Sequence, residues 1–354
     1  MSSGRRSGAS AERLGAAFSA AAVAAAAAAL VVSGCARHRV VTPPPPSPTA
    51  TPFAVSPLDG MAVPPRSIRH RIDAVVVDNY PDARPQSGLR DADVVYEVEA
   101  EGGITRYLAL FLERSPKIIG PVRSARLYIV DLARPYDPYF AHAGENDDVW
   151  GPLADLRSQG FADMEQILGV PEAFWRDDSR YMPHNLYTSI ARMRAAGPQH
   201  GWPDRPFEGR QFAYAKAPPA AADPRDVTLT FWNDYHVSYH WVGGAYRRLV
   251  EGVVQHDRED ATPYRVSDIV VTWMPAEVID QLGDLRMTVY GKFPALAIRN
   301  GHTALGYWVG AGPDTLPALE NGHGESIALA PGQIYIEIMP QGSSVSIGKN
   351  TWTH

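Results

Sequence analysis

Val94-Val95-Tyr96-Glu97-Val98-Glu99-Ala100-Glu101-Gly102-Gly103-Ile104-Thr105-Arg106-Tyr107-Leu108-Ala109-Leu110-Phe111-Leu112 sets the frame for the rest of the chain. The β-branched and aromatic content of residues 92–98 reads as a strand. Glu97, Glu99 and Glu101 alternate with Val98 and Ala100, and a period of two puts three carboxylates on one face. Like charges that close need cations, metal or solvent beside them. Gly102-Gly103 ends the strand, and Thr105-Arg106 opens a second apolar run over 107–112.

Upstream, residues 72–78 read as another strand, followed by the turn Asn79-Tyr80-Pro81-Asp82. Downstream, residues 127–132, 149–156 and 186–193 fit helical spacing. Residues 66–215 are therefore expected to form a mixed α/β domain. The aperiodic, Pro-rich stretch 216–224 is expected to be a linker. Beyond it come short strand candidates at 227–232, 237–241, 269–273, 287–290, 304–309 and 334–339, separated by Gly, Pro, Asn and Asp. This spacing predicts a mostly antiparallel β domain over 225–350, and an α+β chain overall. Trp232, Trp241, Trp273, Trp308 and Trp352 all fall in this half. They can stack on sugars or pack across strands, and packing is the commoner use.

The chain opens differently. Arg5, Arg6 and Arg13 precede an apolar, Ala-rich run over 14–32 that ends in Val32-Ser33-Gly34-Cys35. This is the pattern of a lipoprotein signal peptide over 1–34, with the Cys35 thiol as the atom that receives the lipid. Residues 35–65, with Pro43-Pro44-Pro45-Pro46, have the composition of an extended tether. The expected setting is the cell membrane, with the chain lipid-anchored on the extracytoplasmic face. With Cys35 as the one cysteine of 354 residues, no internal disulfide or cysteine-based metal cage can form. The formal charge is −6, and −8 once residues 1–34 are removed, which argues against nucleic acid as a partner.

No phosphate loop of the Gly-x-x-x-x-Gly-Lys-Ser/Thr type, no His-Glu-x-x-His helix and no Gly-x-Ser-x-Gly elbow is present. The polar residues that stand out lie between Asp78 and Asn185. Arg106, Arg123 and Arg126 can form a guanidinium clamp for an anion, or neutralise Glu97 and Glu101. His142, beside the flexible Gly144, is either a general base or ligand contact, or a hydrogen-bonded structural residue. Arg180 and Pro183-His184-Asn185 offer further polar groups, with Asn185 alternatively a helix cap. His256-Asp257 reads as a hairpin tip. Asn79 completes the candidate ligand set, and no metal, cofactor or catalytic residue is assigned.

These words in this order resemble the bacterial YerB-like lipoproteins, a family of paired N- and C-terminal domains without an assigned reaction. The resemblance rests on Val77-Asp78-Asn79, Asp82-Ala83-Arg84-Pro85-Gln86-Ser87-Gly88-Leu89, Ala92-Asp93-Val94-Val95-Tyr96-Glu97, Glu101-Gly102-Gly103-Ile104-Thr105-Arg106, Gly120-Pro121-Val122-Arg123-Ser124-Ala125-Arg126 and Pro183-His184-Asn185-Leu186-Tyr187. The second half matches more loosely, through Tyr246-Arg247-Arg248, His256-Asp257 and Pro331-Gly332-Gln333. Glu99 departs from an apolar family position, and Glu145-Asn146-Asp147 replaces a small Gly/Ser segment. The arginine layout is also reminiscent, in outline, of the LytR-CpsA-Psr phosphotransferases, although their Arg-x-Asp element is absent. The expectation is a lipid-anchored protein that binds an anionic cell-wall or lipid-linked ligand in an Arg/Glu/His cleft. The alternatives are phosphoryl transfer on a lipid-linked glycan and a non-catalytic scaffold whose protein partner is unknown.

Overall fold

The structure, a computed structural model, describes residues 52–222 and 225–354. The signal peptide, most of the tether and Cys35 lie outside the described residues. Among them no helix is long and apolar enough to cross a membrane.

The apolar words become the strands of one ten-stranded sheet. In chain order they are β1 (Asp73–Asp78), β2 (Val94–Glu99), β3 (Thr105–Phe111), β4 (Tyr139–His142), β5 (Asp163–Glu165), β6 (Asp268–Met274), β7 (Gly291–Arg299), β8 (His302–Gly310), β9 (Ala318–Glu320) and β10 (Ile334–Pro340). Their order across the sheet is β9-β8-β7-β6-β10-β2-β3-β1-β4-β5. β10 pairs in parallel with β6 on one side and with β2 on the other, so strands from both halves of the sequence share one ladder. The second half is thus not purely antiparallel, and the molecule is richer in sheet than the expected α/β first half implied.

Both faces of this sheet are covered, as a run of fully buried strands requires. Val75, Val77, Val95, Tyr107, Ile269 and Val271 face one side. There they meet Leu229, Val237 and Tyr239 of an antiparallel six-stranded sheet, together with Ile190 and Met193 of a helix. The alternate residues Val76, Tyr96, Val98, Leu108, Leu110 and Ile336 face the other side, against Ile129 and Val130 of α1 (Leu127–Ala133) and Val149 and Leu153 of α2 (Asp147–Ser158). Trp273 and Trp308 are core residues, which is the packing reading of these two tryptophans.

Two local expectations need correction. Residues 186–193 are not one helix: Leu186–Thr188 is a strand, and α3 (Ile190–Gln199) starts where the Ser189 side chain accepts from the Arg192 N–H at 3.2 Å. Asn185 therefore precedes a strand and caps no helix. The tether also ends before Pro65. Ala54–Val55 and Ala62–Val63 pair as a small hairpin, whose turn buries Leu58 completely and receives the Tyr214 hydroxyl on the Leu58 carbonyl. Ser56 and Asp59 are buried with Leu58, and the Gly332 amide donates to the Asp59 carbonyl at 2.9 Å, so this segment packs on the body.

Candidate functional site

β1, β2, β4, β5, β6 and β10 run in the same direction. Their carboxyl ends, with the start of β3, make one edge of the sheet, and nearly all of the candidate residues lie along it. In open sheets of this kind such an edge is where ligands are met, because loops leaving several strands converge there.

The three glutamates separate at this edge. Glu97 and Glu99 share the face toward the six-stranded sheet, as the strand period requires. Glu101 lies beyond the end of β2 and reaches groups on the opposite face, so the three carboxylates do not form one cluster. Glu97, fully buried, accepts on Oε1 from Thr105 (2.6 Å), Tyr235 (2.9 Å) and Asn79 (3.1 Å), and on Oε2 from the Arg248 guanidinium. Arg248 is itself fully buried and lies over the rings of Tyr107, Tyr239 and Tyr335 at 5.3, 5.8 and 5.3 Å. Burial opposes its charge, but Glu97 and the surrounding tyrosines outweigh that and hold its pKa well above the usual value. Glu337, to which Tyr239 donates, is pushed well above the carboxylate range by burial and then by Glu97, which favours its protonated form. Asn79 and Glu97 therefore belong to an internal network, and Arg248 is the residue that sequence reasoning missed.

Glu99 accepts from Trp232 Nε1 at 2.9 Å and Asn233 Nδ2 at 3.1 Å, and burial pushes its carboxyl up to about 7. Gly103, in a left-handed conformation at φ +76°, leaves the space that Asn233 occupies.

Glu101 takes both Arg106 and Arg126, the latter at 2.6 Å. Arg106 also donates to the Ser124 carbonyl at 2.9 Å, and Arg126 to its neighbour Ala125 at 2.7 Å. Both arginines are buried. Burial, then the Arg126 charge and, after the opposing Glu101, the Arg123 charge bring the Arg106 pKa down to about 10. Arg126 keeps Nε without an acceptor. Arg123 is a quarter exposed, lies 3.3 Å from Asp78, and makes no side-chain hydrogen bond among the described residues. On the far side of Asp78, His184 Nδ1 binds the carboxylate at 2.6 Å and its ring stacks on Tyr80 with centroids 4.9 Å apart. Arg106, Arg123, Arg126, Glu101 and His184 thus lie along one stretch of the edge, Glu101 joining Arg106 to Arg126 and Asp78 joining Arg123 to His184.

The remaining candidates stand apart. Arg180 donates to the Ala83 and Pro85 carbonyls at 2.6 and 2.7 Å, pinning that loop. Asn185 accepts from Arg176 at 2.8 Å. His142 sits at the end of β4 with Nε2 2.7 Å from Asp163, which in turn accepts from Arg157 at 2.5 Å. Burial works against the imidazolium, but Asp163, the Gly144 carbonyl and Glu145 more than offset it and raise the pKa of His142. Glu145 lies 3.7 Å from His142, its carboxyl raised by burial, and borders a cleft of about 340 Å³ with Arg157, Trp150, Trp202 and His200. In sequence nothing but the nearness of Glu145 to His142 hinted at this group. Asp257 accepts from the Gly88 and Glu259 amides at 2.8 and 3.0 Å, as a loop-forming residue does.

Comparison with known proteins agrees along most of the chain. Residues 58–203 match the model described as Protein of unknown function (DUF3048) N-terminal domain, and residues 227–336 match its C-terminal domain. YerB of Bacillus subtilis (strain 168), a lipoprotein by its name, is 32% identical over 303 residues, which is 83% of this chain and 88% of YerB. The crystal structure of the YerB protein from Bacillus subtilis superposes with a TM-score of 0.73 at 30% identity, covering 83% of this chain and 99% of that one. With both paired models matched in order, this chain belongs to the YerB-like family of DUF3048 proteins.

Proposed function

We propose that this chain is a lipid-anchored protein of the extracytoplasmic envelope that binds an anionic ligand at the carboxyl edge of its sheet. The anchor reading rests on the Cys35 box and on the lipoprotein name of its relative. The ligand reading rests on one observation: Arg123, a quarter exposed, makes no side-chain hydrogen bond among the described residues and only a 3.3 Å ion pair with Asp78, beside two buried arginines held by Glu101, one of them also 4.0 Å from Asp284. Arg106 and Arg126 are committed to Glu101 and shape the edge, while Arg123 is the group open to a phosphate or carboxylate. The ligand class is a cell-wall or lipid-linked anion.

The test uses inorganic pyrophosphate and farnesyl diphosphate as probes in titration calorimetry. Binding is expected to weaken by about 1.5 to 3 kcal/mol, tenfold or more, in Arg123→Ala, with only a small drop in melting temperature because the buried Asp78 carboxylate keeps His184 at 2.6 Å. Arg126→Ala should instead destabilise the fold, because it removes a buried side chain that donates to both Glu101 and the Ala125 carbonyl. Absence of binding by both probes at millimolar concentration, or equal binding by Arg123→Ala, refutes the proposal. The anchor is tested by metabolic labelling with palmitate, which Cys35→Ser should abolish.

A further inference from the structure

The opposite edge of the sheet carries a second unassigned group. Asp59 lies in the hairpin turn, Asp93 just before β2 and Glu113 just after β3, and each offers a carboxylate oxygen within 4.8 Å of the other two. Asp59 and Asp93 are both 0% exposed, unlike the acidic clusters common on surfaces. Part of their bonding capacity is already used. Asp59 Oδ1 accepts from the Met61 amide at 3.0 Å, and Asp93 Oδ2 from the Leu112 amide at 2.6 Å. Asp93 Oδ1 is buried without a donor, and so is Glu113 Oε1.

One cation approaches. Arg114, a third exposed, comes in from the rim to 3.2 Å from Asp59 Oδ2 and 3.8 Å from Asp93 Oδ1. Since one guanidinium nitrogen meets both atoms, the Asp93 oxygen that lacks a hydrogen bond faces toward Asp59. Three carboxylates face one guanidinium, and burial followed by mutual repulsion raises the pKa of Asp93 and Glu113, so the group is short of positive charge. An oxygen separation of up to 4.8 Å is the span of ligands across a cation held at about 2.3–2.6 Å, and an all-oxygen set without His or Cys selects a hard ion. We infer that Asp59, Asp93 and Glu113 form a binding site for a hard divalent cation of the calcium type. The ion would join the hairpin turn to the ends of β2 and β3, fastening the chain where it enters the body. No metal was assigned from the sequence because these three residues come from separate stretches.

The test uses the full-length chain in detergent, stripped with chelator, at fixed neutral pH. CaCl₂, MgCl₂ and MnCl₂ are added singly while the melting temperature is followed, and bound metal is counted by mass spectrometry after gel filtration. The expected result is one Ca²⁺ per chain and a rise in melting temperature that grows with the logarithm of Ca²⁺ concentration. Asp93→Asn keeps an acceptor for the Leu112 amide but loses the charge. Its metal-free form should be at least as stable as the metal-free parent, with Ca²⁺ affinity reduced tenfold or more. If Asp93→Asn does not fold, Glu113→Gln, at a less buried position, reports the same loss of affinity. No bound metal and no thermal shift with any of the three salts, or an unchanged Ca²⁺ response in Glu113→Gln, overturns the inference.

Discussion

Replacing Arg248 by Met keeps an unbranched side chain over Tyr107, Tyr239 and Tyr335 but removes the cation that, among the described residues, pairs with Glu97. Glu97 Oε1 retains its three neutral donors, whereas Oε2 loses its partner in a position with no exposure to water. Stranding one member of a buried ion pair costs about 3 to 5 kcal/mol. With a urea slope of about 3 kcal/mol/M, the unfolding midpoint should fall by about 1 to 1.7 M. Adding Glu97→Gln to Arg248→Met removes the stranded charge and should return part of that loss, so the double variant is expected to be more stable than the single one. Urea titrations followed by far-UV circular dichroism, completed as a double-mutant cycle, give both numbers. A single-variant cost below about 1 kcal/mol, or additive losses in the double variant, would refute the view that Arg248 and Glu97 act as one buried pair.

Two further predictions concern the hairpin and the amino edge. A chain beginning at Pro65 loses Leu58 and the hydrogen bond from Tyr214 and should be less stable by about 2 to 5 kcal/mol than one beginning at Phe53, since a fully buried aliphatic residue leaves a cavity; equal denaturant midpoints would show that the hairpin adds nothing. Burial holds the Asp268 carboxyl up to about 7 from an ordinary 3.8. Between those values the folded state keeps a proton that the unfolded state has lost, so stability falls as pH rises, by about 1.4 kcal/mol per pH unit at most. Asp268→Asn, which still accepts from the Ala330 amide, should flatten the decline in melting temperature between pH 5 and 7; an unchanged slope would assign the decline to other groups.

What the sequence disclosed depended on how local the signal was. The strand around Val95 and the helices at 127–132 and 149–156 were readable because side-chain period alone determines them. The partner of β10 was not, because the same apolar run satisfies any neighbouring strand, and its parallel pairing with both β2 and β6 joins residues far apart in sequence. The start of α3 was missed although Ser189 carries the cap signal, because the periodic apolar residues begin at Leu186, inside a strand. The arginine group at the edge was legible as a cluster, but which members are engaged was not. Glu101 turned out to take two of them, and Glu97 none. Arg248 did leave a trace. Tyr246, Arg248 and Val250 share the inward face of one strand, and a charged residue at the middle of that alternation signals a buried pair.

The position of β10 also decides what each half of the chain can do alone. β2 has β3 on one side and β10 on the other, and Glu97 at its center is neutralised by Arg248 from the six-stranded sheet. Without the second half, β2 would be an unpaired edge carrying an unmet buried carboxylate. The edge bearing Glu101, Arg106 and Arg123 is therefore a product of both halves, although its residues come from the first. β2 spans roughly 20 Å at about 3.3 Å per residue, and its two ends do different work. Its amino end, at Asp93, adjoins the hairpin through which the chain enters, and its carboxyl end leads to Glu101, which takes Arg106 and Arg126. Arg123, by contrast, is held on β1, its amide donating to the Val76 carbonyl at 2.9 Å and its side chain lying 3.3 Å from Asp78, so the Arg248–Glu97 pair on β2 supports it only through the strand β3 that lies between β2 and β1.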